Sequence, residues 1–223
     1  MKKTLTIILV IALLCVLSVG TTLTYFTDTD FDKNVMTVGK VEIVQNEEFA
    51  QNSKLYPYTG TITTGGNLDL GNNALTKTVT VTNDTASETA FIRTLFAFEA
   101  VSGNDPVGSV IHVDYNTAVD AEGKAIGTWA KVSEIQIAST TYYVYSFTYA
   151  KSYAAGTTTE ASLERIALDG KQGNGFSNGN YEILAVSQAV QAQGFNSADE
   201  AFAAAFPYGE NNANVAGWFT SGT

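Results

Sequence analysis

The densest run of cation-ligating side chains is Asp28-Thr-Asp30-Phe-Asp32-Lys-Asn34, in which oxygen-bearing residues recur at alternate positions. Such spacing is how a calcium loop brings several oxygens around one hard cation. The match breaks where the ligand pattern is strictest. Counted from Asp28, position 6 is Lys33, where the sharp turn takes glycine, and position 12 is Gly39, where a bidentate glutamate belongs. Asp28, Asp30 and Asp32 are thus calcium candidates set against a plainer expectation, an exposed acidic turn or a recognition feature for a processing enzyme. His112 is the only histidine, and it sits in the strand-like pattern Ile111-His112-Val113. A zinc site or a catalytic triad needs partners for it, and the chain has neither an HExxH motif nor a second histidine. No Gly-x-Ser-x-Gly elbow, phosphate-binding loop or dinucleotide fingerprint is present. The residues therefore predict neither an enzyme nor a bound cofactor. Arg93 is one of two arginines, and its expected role is a strand-end residue whose stem covers apolar surface.

The elements that position these residues begin with a leader. Lys2 and Lys3 precede Leu5 to Val19, an apolar run interrupted only by Thr6 and Ser18. At that length it fits a secretory signal and falls short of the ~20 residues of a membrane span. Small residues offer two cuts, between Thr24 and Tyr25 or between Gly20 and Thr21. An uncleaved leader is the only expected membrane attachment, so residues 1–24 are read as a signal peptide and 25–223 as one domain. Cys15, the only cysteine, lies inside the apolar run behind Leu14 rather than a small residue, which argues against lipidation. After cleavage the chain has no cysteine, so disulfides and thiolate metal sites are excluded. Acidic residues outnumber basic ones by 22 to 12, for a formal net charge of −10. That balance argues against nucleic acid and anionic membrane surfaces as partners and suits an extracellular protein.

Along the rest of the chain, period-2 alternation dominates. Val35 to Val44 is a first strand, with Val41 and Ile43 alternating against Lys40 and Glu42. Gln51 to Asn73 has the composition of a long loop. Lys77 to Asn83 alternates valine with threonine, and Ala90 to Ala100 follows as the next strand. Val110 to Tyr115, Thr128 to Ile137, Thr140 to Ala150 and Tyr181 to Gln191 read as further strands. Ser162 to Leu168 suits a short helix or an edge strand equally. Gly170 to Asn180 is a glycine- and asparagine-rich loop. One helix is predicted after Ser197, which opens a capping box with Glu200, and Pro207 and Gly209 end it. The tail from Asn211 is mostly small and polar, apart from Val215 and Trp218-Phe219. The whole predicts an all-β, jelly-roll-like antiparallel β-sandwich with one short C-terminal helix.

The junction Tyr25-Phe-Thr-Asp-Thr-Asp30, with Thr37-Val-Gly-Lys-Val-Glu-Ile43 after it, resembles the leader and first strand of proteins with a SipW-dependent signal peptide. These form the TasA and camelysin (CalY) biofilm matrix family of Gram-positive bacteria. Lys77 to Asn83, Ala90 to Arg93 and Tyr181 to Phe206 are similar to other pieces of that family, so the likeness covers roughly half the chain. It implies a jelly-roll domain, a dedicated signal peptidase, and a secreted, matrix-forming subunit that self-associates into fibres or joins related subunits. It also implies that the freed N-terminal segment, here Tyr25 to Val44, passes to a neighbour as a donor strand. Tyr25, Phe26, Val35, Val38, Val41 and Ile43 would carry that contact, since an open sheet edge accepts a strand through its unpaired backbone groups. Camelysin has been described as a metalloprotease, and no zinc motif here supports that activity. The alternative is a monomeric extracellular binding module or adhesin that uses the loops Gly60–Asn73 and Gly170–Asn180.

Overall fold

The computed structural model describes residues 27–30, 41–51, 54–57, 61–63, 75–168 and 180–220. The strands are β1 (Thr27–Asp30), β2 (Ile43–Gln51), β3 (Lys54–Pro57), β4 (Thr61–Thr63), β5 (Leu75–Asn83) and β6 (Ala90–Glu99). They continue with β7 (Ile111–Tyr115), β8 (Gly127–Ile137), β9 (Thr140–Tyr153), β10 (Leu163–Leu168) and β11 (Asn180–Gln191). Two helices follow, α1 (Ala198–Ala205) and α2 (Val215–Thr220), with a 3-10 turn at Glu210–Asn212 between them. Among the described residues no helix is long and apolar enough to cross a membrane.

The strands form two antiparallel sheets. The first runs β1-β11-β6-β9-β8, with β4 also pairing β11, and the second runs β3-β2-β5-β10-β7. The chain is an all-β sandwich. Most connections pass from one sheet to the other; the β2–β3 and β8–β9 hairpins stay within one. Between the sheets lies the main core, built from inward residues such as Val79 and Val81 of β5, Phe96 and Phe98 of β6, and Phe147 and Tyr149 of β9. An aromatic stack closes one flank: Tyr115 lies on Trp129 with ring centres 5.1 Å apart, and Trp129 on Tyr145 at 5.4 Å. Offset stacking of this kind adds about 1 kcal/mol per pair beyond burial.

Strand β6 is buried from Ala90 through Phe98 on both faces, because the first sheet is covered twice. Its inner face meets the second sheet. Its outer face carries Leu95 and Ala97, which pack with Ile135, Val144 and Val186 beneath Val215 and Phe219 of α2. Phe91 and Val190 pack beneath Ala198, Ala201 and Phe202 of α1. A strand covered on both faces loses the polar alternation of a half-solvated one.

The helix predicted after Ser197 is present: the Ser197 hydroxyl accepts from the Glu200 backbone N–H at 3.2 Å, and the Glu200 carboxylate accepts from the Asn196 N–H at 2.9 Å. Three expectations are corrected, and one that was left open is decided. The tail holds a second helix, α2, whose Val215, Trp218 and Phe219 fall at helical spacing and turn toward the sheet. The stretch expected as a loop from Gln51 to Asn73 carries β3 and β4, four and three residues being too few for periodicity to register. The segment left open between a short helix and an edge strand is strand over Leu163–Leu168, paired with β5 on one side and β7 on the other and so interior to its sheet. The first long strand starts at Ile43 and runs on to Gln51 rather than ending at Val44.

Gly127, which pairs with Tyr149 at the start of β8, is required by packing. A Cβ there would overlap the ring of fully buried Phe147 and come within 2.9 Å of the Thr148 carbonyl oxygen. Gly127→Ala is expected to destabilise the fold by about 1–3 kcal/mol, the usual cost of overpacking. Denaturant unfolding checks it, and an unchanged midpoint would show that the ring can give way.

Candidate functional site

Two places are candidates for a functional site: the β1 edge of the first sheet, and a cleft on that sheet's outer face. At the edge, β1 lies antiparallel along β11, with Thr27 opposite Val190, Asp28 opposite Ala189, Thr29 opposite Gln188 and Asp30 opposite Ser187. Asp28 and Asp30 therefore lie on extended backbone within a ladder. Asp32 falls outside the described residues, as do Val35 and Val38 and both cleavage pairs, Thr24 with Tyr25 and Gly20 with Thr21; Phe26 and most of the two glycine-rich loops do too. Among the described residues, no group of three or more His, Cys, Asp or Glu is placed to hold a metal ion. His112 sits half-buried on β7 opposite Ala167.

Val41 and Ile43 are fully buried in the inter-sheet core. Their backbone is tied down as well: the Glu42 N–H donates to the Ser87 hydroxyl at 2.7 Å, and the Asp84 N–H to the Glu42 carbonyl at 2.8 Å. Ile43 pairs with Asn83 of β5. These two residues belong to the chain's own core, so any segment free to leave must end before Val41.

Next to β1 the core turns polar. Thr94 and Ser187 hydroxyls lie 3.1 Å apart, Ser187 donates to the Gln45 side-chain oxygen, and the Gln45 amide nitrogen donates to Glu47 at 2.6 Å. Glu47 in turn pairs with fully buried Lys77 at 2.8 Å. This line of groups spans from the first sheet to the second. Burial pushes the Lys77 amine down to about 8, and Glu47 only partly offsets that. Inward positions 45 and 47 of β2 are thus polar.

The outer cleft is organised by one row of residues across the sheet. In register, Thr29 faces Gln188, Gln188 faces Arg93, Arg93 faces Thr148 and Thr148 faces Thr128. Arg93 is 3% exposed and lies mid-strand, so its expected strand-end position is corrected. Its Nε donates to the Gln188 side-chain oxygen at 2.8 Å, Nη1 to the Tyr208 hydroxyl at 3.2 Å and Nη2 to the Phe206 carbonyl at 3.3 Å. The guanidinium carbon lies 4.5 Å from the Phe202 ring centre, 5.1 Å from Tyr208 and 5.3 Å from Trp218. Ring faces are negative, so they partly replace the lost water around a buried cation. Burial lowers the Arg93 guanidinium to about 10, with Tyr208 and Asp199 acting the other way, which leaves it charged at neutral pH. Among the described residues, no carboxylate lies within ion-pair distance of it. The Gln188 amide nitrogen is buried and has no partner among the described residues.

Beyond Arg93 the cleft opens into a cavity of about 500 Å³. Thr128, Ser146 and Thr148 line its floor, Phe202, Phe206 and Tyr208 its walls, and exposed Asp199 its rim. Sequence reasoning missed this site. Strand parity puts Arg93 on the same face as Phe91, Leu95 and Ala97, but only the folded C-terminal segment turns that face into an interior.

The fold and these two features define a class no finer than an all-β antiparallel sandwich with a helix-covered outer face. No protein family, curated protein or solved structure matches the chain.

Proposed function

We propose that the protein is a secreted structural subunit that assembles into fibres or matrix by N-terminal strand addition after removal of its leader. The observation that carries this reading is the position of β1. The segment just behind the leader supplies the edge strand of the first sheet through a four-residue ladder on β11. A ladder that short can open and re-form with the equivalent segment of a neighbour, because the same backbone hydrogen bonds are regained. The anchoring of Val41 to Ile43 sets the inner limit of the transferable segment, and the resemblance of the leader junction to TasA-like proteins points the same way. Export and assembly would then be coupled, since the donor end becomes free only on cleavage.

The mature chain is expected to form filaments visible by electron microscopy, with an N-terminus at Tyr25 by sequencing. A chain starting at Val35 is expected to stay folded by circular dichroism and to sediment as a monomer. Filaments from that truncation in unchanged yield would sink the reading.

A further inference from the structure

We propose that the cavity beside Arg93 is a binding site for a small carboxylate with an apolar body, a function separate from strand-mediated assembly. Three observations carry it together. The first is a buried cation with spare donors: a guanidinium has five N–H groups, and Arg93 gives one each to Gln188, Tyr208 and Phe206. The second is the missing counter-ion. A buried arginine ordinarily has a carboxylate in direct contact, and here none of the described carboxylates lies within ion-pair distance, Asp199 at the rim acting on it only from further away. The third is the cavity that Arg93 borders, whose volume of about 500 Å³ lies in the range of small-molecule sites.

The lining selects the chemistry. A planar carboxylate matches a guanidinium geometrically, through charge-assisted bonds that strengthen away from water. The Thr128, Ser146 and Thr148 hydroxyls on the floor offer further donors. Phe202 and Phe206 present an apolar wall for the body of the ligand. Asp199 at the rim and the overall charge of −10 disfavour dianions such as phosphate esters. The lining comes from β6, β8, β9 and the α1–α2 segment and includes no residue of β1.

The test uses the purified mature chain and 3-phenylpropionate, read by ligand-observed NMR and calorimetry. A second arm uses a short peptide ending in phenylalanine. Each acid is compared with its neutral amide. Binding of the acid is expected, with the amide weaker by at least about tenfold, the loss expected when a charge-assisted bond becomes a neutral one. If the free acid binds, the natural ligand is a small molecule; if only the peptide acid binds, it is a chain end. Either result supports a carboxylate site. Ala203→Trp fills the cavity from an exposed position of α1, so it is expected to abolish binding while the melting temperature stays near that of the parent. The proposal is overturned by equal binding of acid and amide, by no binding of either acid at about 10 mM, or by binding that survives in Ala203→Trp.

Discussion

Replacing Lys77 with methionine is expected to abolish a rise in stability that the native chain gains between about pH 8 and pH 10. In the unfolded chain the Lys77 amine holds its proton up to about 10.5, whereas in the fold burial lowers that value to about 8. Between those values the unfolded state binds more protons than the folded one, so stability increases with pH. Below pH 8 both states are protonated and the cost of the buried charge is constant. The gap between the two values corresponds to about 3 kcal/mol. The measurement is the difference in unfolding free energy between parent and Lys77→Met at matched pH. That difference should move toward the parent by a few kcal/mol across the window, whereas a flat difference would show that Lys77 reaches solvent. The comparison also cancels the tyrosines. Burial pushes Tyr149 up to about 12 and raises Tyr142 and Tyr145 further, so their contribution is full below pH 10 and is lost as pH rises beyond it. At pH 7 the double variant Lys77→Met, Glu47→Leu is expected to be at least as stable as the parent. Both charges then leave the core together, and a buried ion pair seldom outperforms apolar residues of similar volume.

Lys77 also shows where the sequence can be read and where it cannot. Alternation from Lys77 to Asn83 identifies β5 and sets Lys77 on the same face as Val79 and Val81, which is the core face. Its partner is invisible, because Glu47 arrives through the pairing of β2 with β5, thirty residues away in sequence. The same network hides β2 itself. Its inward positions 45 and 47 are polar, so hydrophobic periodicity stops at Val44 while the strand continues to Gln51. Ser197 with Glu200 marked α1 because a capping box is local chemistry. Helix α2 is six residues long with Gly217 inside it, too short to be stable alone. It exists because Leu95, Ala97, Ile135, Val144 and Val186 offer an apolar face that must be covered, and that face appears only after β6, β8, β9 and β11 have come together. Sandwich architecture was therefore legible from strand patterning, whereas the Arg93 cleft depends on contacts between residues more than a hundred positions apart.

Arg93→Ala is expected to cost about 3–5 kcal/mol and to release the C-terminal segment before the sandwich melts. Three hydrogen bonds disappear, each contributing about 1 kcal/mol net. The cation leaves a cage of four rings, whose attraction is worth about 2 kcal/mol when desolvated. The Gln188 oxygen also loses its donor, Arg93, while the amide nitrogen of the same side chain already lacks a partner among the described residues, so a buried amide is left unpaired at both ends. The loss is directional, because two of the three bonds reach Phe206 and Tyr208, in the segment that joins α1 to α2. Amide hydrogen exchange should therefore accelerate across residues 198–220 well before it does in β5 and β10, and Trp218 fluorescence should shift at a lower denaturant concentration than circular dichroism. Adding Gln188→Leu to Arg93→Met is expected to recover a substantial part of the loss, since replacing both members of a buried polar pair by apolar groups leaves nothing unsatisfied. Coincident transitions in Arg93→Ala would show that the helices and the sandwich unfold as one unit. Recovery of stability by the apolar pair without recovery of 3-phenylpropionate binding would separate the two roles of Arg93: anchoring the helical cover and receiving a carboxylate.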